Sequence, residues 1–547
     1  MQSFADLTVL LIEPHAGMRA SMHNMLNQCG VGKIEHAVSA GSAMRPIRGR
    51  EYDIILCEYD LGEGQDGQQL LEDLRHNNMM PLSTIFFMVT AERSYQKVVS
   101  AAELTPTDYI LKPCTADIVL DRITRAIERR AQFLPVYRLM EQGSLRQAVD
   151  ACIEGEARDK RYAFDFMRLR AELHVTLGEP ALAEPIYASL FETRAVAWAR
   201  LGLAKSLFMQ DRLDEAQNLL SVLVDQNRNF LDAYDWLAKT HEANGQLPQA
   251  QSVLQEATAI SPHAVRRLRK LGDIAFQTGD VETAERAFTQ VVGKARYSEF
   301  RNPEDHVRLV RSLVAKGDTQ QAASVIRDLN KTMGGNRKTD TCSALSASMV
   351  HAHTGDTARA VEELGKAVDA CRDSIGMSAE MKMALAQQCL AHDLEDGATE
   401  IMTDVMSNAP DRRAQARAMA VFEQAGRRDL ADSVSKESRQ RVVDLVSAGA
   451  EKAKKGDFKG AVLLMTEAAT KLPDNPQVIF NAAVAVLKCL ENLGWDGKLG
   501  EQARGYIEKA RALDPTNPRL APLAELYQMI TRKYGIAQMS AASRPAR

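Results

Sequence analysis

Short, unbroken apolar runs occupy the first 130 residues, and helical spacing takes over beyond them. Val9-Leu10-Leu11-Ile12 stops at Glu13-Pro14, and the stretch 52–58 carries Ile54-Ile55-Leu56-Cys57 and stops at Glu58. Ile85-Phe86-Phe87-Met88-Val89 stops at Thr90-Ala91, and Asp108-Tyr109-Ile110-Leu111 stops at Lys112-Pro113. Runs of this length and composition predict strands buried on both faces, the habit of parallel sheets. In doubly wound α/β sheets, functional groups collect beyond the carboxyl ends of the strands. The four strand ends therefore predict one crevice that receives Glu13, Glu58, Thr90 and Lys112.

After residue 130 a different rule repeats: a glycine, then an alanine five positions later. Gly143/Ala148, Gly178/Ala183, Gly245/Ala250, Gly279/Ala284, Gly317/Ala322, Gly355/Ala360, Gly426/Ala431 and Gly456/Ala461 obey it. Ala216, Ala398 and Ala503 continue the series with Asp211, Asp393 and Lys498 in the glycine slot. Successive alanines lie 35, 33, 34, 34, 38, 38, 38, 33, 30 and 42 residues apart. A period near 34 predicts pairs of packed helices, because two helices and two turns consume that much chain. Small residues let the paired helices approach, and a left-handed glycine ends the first of each pair. About eleven units are expected, weakest around 412–441, with a longer inter-helix loop at 489–501 around Gly494-Trp495-Asp496-Gly497.

A chain of 547 residues exceeds what one core supports, so several domains or an array are required. A formal net charge of −4 over that length gives no electrostatic case for nucleic acid as a partner. The eight cysteines form no C-x-x-C pair, which fits reduced thiols, and no 18-residue apolar run occurs, so membrane insertion is not expected and a cytoplasmic location is. No H-E-x-x-H, G-x-S-x-G or G-x-x-x-x-G-K-[ST] motif is present, which argues against a hidden enzyme.

The strand-end residues, in order and spacing, resemble a response-regulator receiver domain across about residues 7–130. The helical units resemble tetratricopeptide repeats. The best of them runs Tyr234, Leu237, Ala238, His241, Gly245, Ala250, Leu254, Ala257, Pro262. The resemblance implies an α/β receiver, a flavodoxin-like doubly wound five-stranded parallel sheet, followed by an all-α superhelix. The expected boundaries are 1–131 for the receiver-like domain, 132–535 for the repeats with a terminal capping helix, and 536–547 for a disordered tail. The last receiver helix, about 115–130, runs into Phe133-Leu134-Pro135 without a Gly/Ser spacer, so the receiver is expected to be docked on the first repeat rather than tethered.

By the same resemblance, Glu58 stands where receivers carry the phospho-accepting aspartate. Glu13 and Pro14 stand where they carry the acid pair that holds magnesium with it. Proline offers no side-chain oxygen, and the hard cation needs such ligands, so at most weak magnesium binding at Glu13 and Glu58 is expected, and no dedicated cofactor or metal. The extra methylene of Glu58 carries its carboxylate outward by about 1.5 Å, toward where a phosphoryl oxygen would lie, so Glu58 is expected to pair with Lys112 and to accept a hydrogen bond from Thr90. Asp60 matches the loop position that lends a backbone carbonyl, and Tyr109 the aromatic switch position, here expected to rest inward. A glutamate has less charge than a phosphoryl group, so mimicry of the phosphorylated state would be partial.

Two functions compete. One is a non-enzymatic bacterial signalling adaptor of the two-component or phosphorelay type, with a degenerate receiver coupled to a protein-binding scaffold. The other is a phosphorylation-controlled regulator whose output is protein binding by the array. Glu58 and Pro14 favour the first. Partners are expected to be proteins, met through the repeat groove and the receiver surface, with homo-oligomerisation left open. In tetratricopeptide repeats the groove is lined by positions 2, 5, 9 and 12 of each unit. That phase brings Lys239, Arg266, Arg269 and Arg311 to neighbouring first helices, a candidate grip for an acidic peptide or a carboxylate. The bland alternative pairs this basic run with Asp232, Asp235, Glu242 and Asp273.

Overall fold

A computed structural model describes residues 4–536, apart from 63, 64, 78, 91–107, 195, 263, 299, 300, 373 and 375. Five parallel strands form the N-terminal sheet: β1 (Thr8–Ile12), β2 (Lys33–Ala37), β3 (Ile54–Glu58), β4 (Ile85–Thr90) and β5 (Asp108–Leu111), in the order β2-β1-β3-β4-β5. The strand order reverses between β1 and β3, where Val9 pairs with Ile54 and Ile12 with Cys57. This is the topological switch point, and the crevice opens above it. Every residue of β3 and β4 is buried. Two apolar layers cover the sheet, one around Leu10, Ile55, Phe86 and Leu71, the other around Val9, Leu56, Phe87 and Ile123. β2 was implied only by the fold; its sequence, Lys-Ile-Glu-His-Ala, lies half exposed at the edge.

Helices α1 (Ala16–Gln28), α2 (Ala40–Gly49) and α3 (Gly67–His76) follow β1, β2 and β3. Asp66 caps α3: its carboxylate accepts the Gln69 N–H at 2.8 Å, and the Gln69 side chain reaches back to the Asp66 N–H. The next described helix is continuous from Ala116 to Glu141 and crosses the expected boundary at 131/132 without a break, with Pro135 inside it. Proline costs that helix one hydrogen bond, but Phe133 stacks on Phe166 at 4.5 Å and meets Tyr162 edge-on at 6.0 Å, so packing holds the helix through it.

From Leu145 to Lys533 the described elements are all helices. The glycine slots expected to end first helices have positive φ, from Gly143 (71°) to Gly456 (83°), and Asp211 (62°) and Asp393 (59°) adopt the same left-handed backbone in place of glycine. The alanines that mark the period are buried, Ala148, Ala183, Ala216, Ala250 and Ala284 completely so. At Gly272 a methyl group would lie 2.6 Å from the Phe288 ring of the paired helix, which explains why the position carries no side chain.

Three expectations about the array fail. Residues 428–454 form one helix of 27 residues, where a second helix, a turn and a first helix were expected. No proline or glycine breaks the chain between Arg428 and Ala448, and this fusion removes the turn, which accounts for the short 30-residue spacing of Ala431 and Ala461. The expected long loop at 489–501 is absent, because helices Pro476–Leu493 and Gly497–Leu513 absorb most of it and leave three residues between them. Lys498 therefore lies within a helix capped by Asp496 rather than in a left-handed turn, and Gly494 takes the positive φ of 102°.

The chain divides into two compact units. The first comprises 1–139, 146–175 and 180–316, and the second 140–145, 176–179 and 317–547. Within the second, helix Leu520–Lys533 buries Leu520, Leu523 and Ile530 in the cluster of Val486, Leu490, Ala503 and Ile507, as a terminal cap should. The expected tail lies, Ile536 excepted, outside the described residues, as does Ala91. No helix among the described residues is long and apolar enough to cross a membrane.

Candidate functional site

The end of β1, the end of β3 and the residue after β5 converge on one ion triad. The Lys112 ammonium donates to Glu13 Oε2 at 2.6 Å and also to Glu58 Oε2. All three side chains are buried, at 2% exposure for Glu13, 8% for Glu58 and 9% for Lys112. Each carboxylate is also held from behind. Glu13 Oε1 accepts the His15 N–H at 3.0 Å, and Glu58 Oε1 accepts the N–H groups of Tyr59 at 2.9 Å and Asp60 at 3.3 Å. Arg19 donates to the carbonyls of Glu13 and Pro14, fixing the turn after β1.

Electrostatics follow from this geometry. Burial pulls the Lys112 ammonium downward, but the hydrogen bonds and charges of Glu13 and Glu58 outweigh it and hold the group above its ordinary value. Beside it, burial and then the charge of Glu58 push the Cys57 thiol far up. Burial likewise raises Cys114, only partly countered by Lys112, so this thiol is not primed as a nucleophile.

The donor set does not suit magnesium. A lysine ammonium already bridges the two carboxylates, their remaining oxygens accept backbone N–H groups, and Pro14 supplies no oxygen side chain. Asp60 points elsewhere: it is exposed, and its carboxylate accepts the Gly62 N–H at 3.0 Å. Thr90 is buried at the end of β4, and its carbonyl accepts the Lys112 N–H at 2.9 Å. Tyr109 turns inward against the layer of Tyr59 and Leu71, with its hydroxyl buried and without a hydrogen-bond partner among the described residues. Burial first, then the nearby Tyr59, pushes that phenol well above its usual value.

Residues 9–124 match the response regulator receiver domain family. Residues 197–221 and 237–299 each match a tetratricopeptide repeat family. Residues 9–124 are a response-regulator receiver domain, and tetratricopeptide repeats follow in the C-terminal region. Chemotaxis protein CheY-3 of Vibrio cholerae serotype O1 is 23% identical over 124 residues, 23% of this chain and 94% of that protein. Chemotaxis protein CheY of Pseudomonas aeruginosa is 24% identical over 123 residues, 22% of this chain and 98% of that protein. Among solved structures, the receiver domain of a signal transduction histidine kinase from Syntrophus aciditrophicus is 20% identical and covers 22% of this chain and 90% of its own, with a TM-score of 0.21. The C-terminal part of a repeat-containing protein from Cytophaga hutchinsonii is 16% identical and covers 44% of this chain and 96% of its own, with a TM-score of 0.36. A receiver with such repeats is a two-component signalling protein with a protein-interaction scaffold, built from modules that are typically non-catalytic.

The receiver docks on the array within the first unit. Asp73 on α3 accepts the amide of Gln65 at 2.7 Å and the hydroxyl of Ser298 at 2.6 Å. Burial raises Asp66, opposed by the Gln69 N–H and by Lys294; burial in turn lowers Lys294, opposed by Asp66. Nothing local in the sequence announces this contact, since its partners are 225 residues apart.

The four candidate groove cations meet different fates. Arg269 grips Asp305 with both arms of its guanidinium, at 2.6 and 2.8 Å. Arg311 lies over the Phe276 ring at 4.0 Å, Lys239 lies over Trp236 at 4.2 Å, and Arg266 is exposed. Of the acids proposed to neutralise the run, Asp235 pairs with Arg267, Glu242 with Lys270 and Asp273 with Arg308. Lys205 was missed, although it precedes Lys239 by 34 residues and so shares its position in the repeat.

Proposed function

We propose that this chain is a non-enzymatic bacterial signalling adaptor of the two-component or phosphorelay type, whose degenerate receiver presents one fixed surface while the repeats bind protein partners. The observation that carries this reading is the Glu13–Lys112–Glu58 triad. A phospho-accepting receiver needs a free carboxylate at the end of β3 and a metal to neutralise the incoming group. Here the β3 carboxylate belongs to glutamate, and an internal cation already engages it. The inward Tyr109 ring fits a receiver that stays in one state rather than switching.

The reading places the protein in the cytoplasm, with no nucleic-acid partner and no resident cofactor. Its partner-binding groove is the face of the first helices that carries Lys239, Arg266, Arg269 and Arg311. Addition of magnesium with beryllium fluoride, a phosphoryl mimic, tests it. Amide hydrogen exchange across the full chain should stay unchanged. Protection appearing around β3, β4 and α3 would show that the pocket still accepts a phosphoryl-like group, and would favour the phosphorylation-controlled alternative.

A further inference from the structure

Two lysines on adjacent first helices share one tryptophan. Lys205 Nζ, on helix Ala197–Met209, lies 5.2 Å from the Trp236 ring centroid, and Lys239 Nζ, on helix Leu231–Ala243, lies 4.2 Å from it. Lys239 also lies 4.9 Å from the Phe208 ring, which meets Trp236 edge-on at 5.4 Å. Among the described residues, neither ammonium has a carboxylate within ion-pair distance, whereas Arg267, Arg269, Lys270 and Arg308 on the two following first helices all do.

Of the acids acting on the two lysines, Asp232 forms no ion pair with Lys205 among the described residues, and Glu172 pairs with Arg168 at 2.8 Å. Asp235 is held by both arms of Arg267, at 2.7 Å each. Glu242 is engaged by Lys270 at 2.6 Å. Cation–π contact contributes only about 0.5–1 kcal/mol at such sites, and two like charges over one ring repel each other. Burial lowers Lys205, opposed by Asp232 and Glu172; burial lowers Lys239 too, opposed by Glu242 and reinforced by the charge of Lys205. Two neighbouring cations without ion-pair partners, Lys205 partly buried and Lys239 exposed, are an arrangement that a bound anion stabilises.

We propose that Lys205 and Lys239, over the Trp236–Phe208 platform, form the subsite that takes an acidic side chain of an extended partner peptide. This rests on the groove reading above and moves its anionic subsite one helix toward the N-terminus, away from Arg269, whose charge Asp305 already consumes. Charge complementarity selects the occupant. An extended peptide fits because the cation–aromatic motif continues along neighbouring first helices, with Arg168 over Trp198 at 5.0 Å and Arg311 over Phe276 at 4.0 Å. The aromatic faces between the cations suit apolar side chains alternating with the acids.

The test uses the full chain and a fluorescein-labelled peptide of alternating Glu and Leu, with a Gln–Leu peptide as its neutral counterpart, read by anisotropy at low and moderate salt. The acidic peptide should bind and the neutral one should not. K205Q combined with K239Q should weaken binding about tenfold or more, the corresponding pair of Lys→Arg changes should retain it, and R212Q, at a cation paired with Glu184 and Glu215, should leave it unchanged. Melting temperatures of all variants should match, which separates lost binding from lost folding. Binding that survives K205Q/K239Q but disappears on R266E/R269E would overturn this subsite and leave the groove reading standing. Equal binding of the neutral peptide, or none of the acidic one, would overturn both.

Discussion

Asp73 of the receiver accepts the Ser298 hydroxyl of the repeat array at 2.6 Å, and the same carboxylate oxygen accepts the Gln65 amide. The contact fastens α3 to the chain just beyond helix Val281–Ala295. Gly67 opens α3 directly against the Glu58 carbonyl, with no room there for a side chain. The candidate pocket and the array are thus joined through one short helix.

Removing the Ser298 hydroxyl tests that joint. A hydrogen bond to a charged group is worth about 1.5–3 kcal/mol, so Ser298→Ala should destabilise the docked arrangement by about that much. Amide exchange should rise in α3 and in 281–295 while the cluster around Val486 stays protected. Uniform exchange across both regions, before and after substitution, would show that the contact does not fasten the receiver.

Breaking the triad from its cationic side should be costly. Lys112→Met leaves Glu13 and Glu58 facing each other in a buried site, and loss of one partner of a buried pair typically costs about 3–5 kcal/mol. The pH dependence has a fixed sign. The Lys112 ammonium is held above its ordinary value in the folded state. Its stabilising effect is therefore complete below the unfolded value of about 10.4 and disappears as pH climbs through the raised folded value. Urea denaturation should show the wild type losing its advantage over Lys112→Met above that range. A gap that stays constant into strong alkali would contradict the pairing.

The repeat packing makes a separate prediction at Gly272. An alanine methyl there would lie 2.6 Å from the Phe288 ring, whereas at Gly245 it would meet nothing within 4 Å. Overpacking costs about 1–3 kcal/mol, and a left-handed alanine about 1–2 kcal/mol. Both substitutions should lower the urea midpoint, but only Gly272→Ala should be relieved by Phe288→Leu. Equal relief of both would mean that the close approach is not what excludes a side chain.

These residues also explain what could be read in advance. The alanine period was legible because helix crossings demand small residues at fixed spacing, and Asp211 and Asp393 were legible as glycine substitutes because aspartate tolerates the left-handed region. The long helix 428–454 was not, because periodicity marks repeats but not whether a turn separates them. β2 was hidden by its polar edge position. Glu13, Glu58 and Lys112 could be assembled from strand ends and the Glu58–Lys112 pair expected, but not the second bond of Lys112 to Glu13, which depends on side-chain reach. Lys205 carried a signal in its 34-residue offset from Lys239. Ser298 carried none, because docking contacts have no period.

The central claim is that the pocket cannot accept a phosphoryl group because of Glu58 and Pro14. Intact-protein mass after incubation with acetyl phosphate and magnesium tests it most directly, in the wild type, Glu58→Asp, and Glu58→Asp combined with Pro14→Asp. No phosphoryl mass should appear in the wild type, little or none in the single variant, and a clear increment in the double variant, where the metal regains its ligand. Stoichiometric phosphorylation of the wild type, lost on Asp60→Asn, would contradict the account.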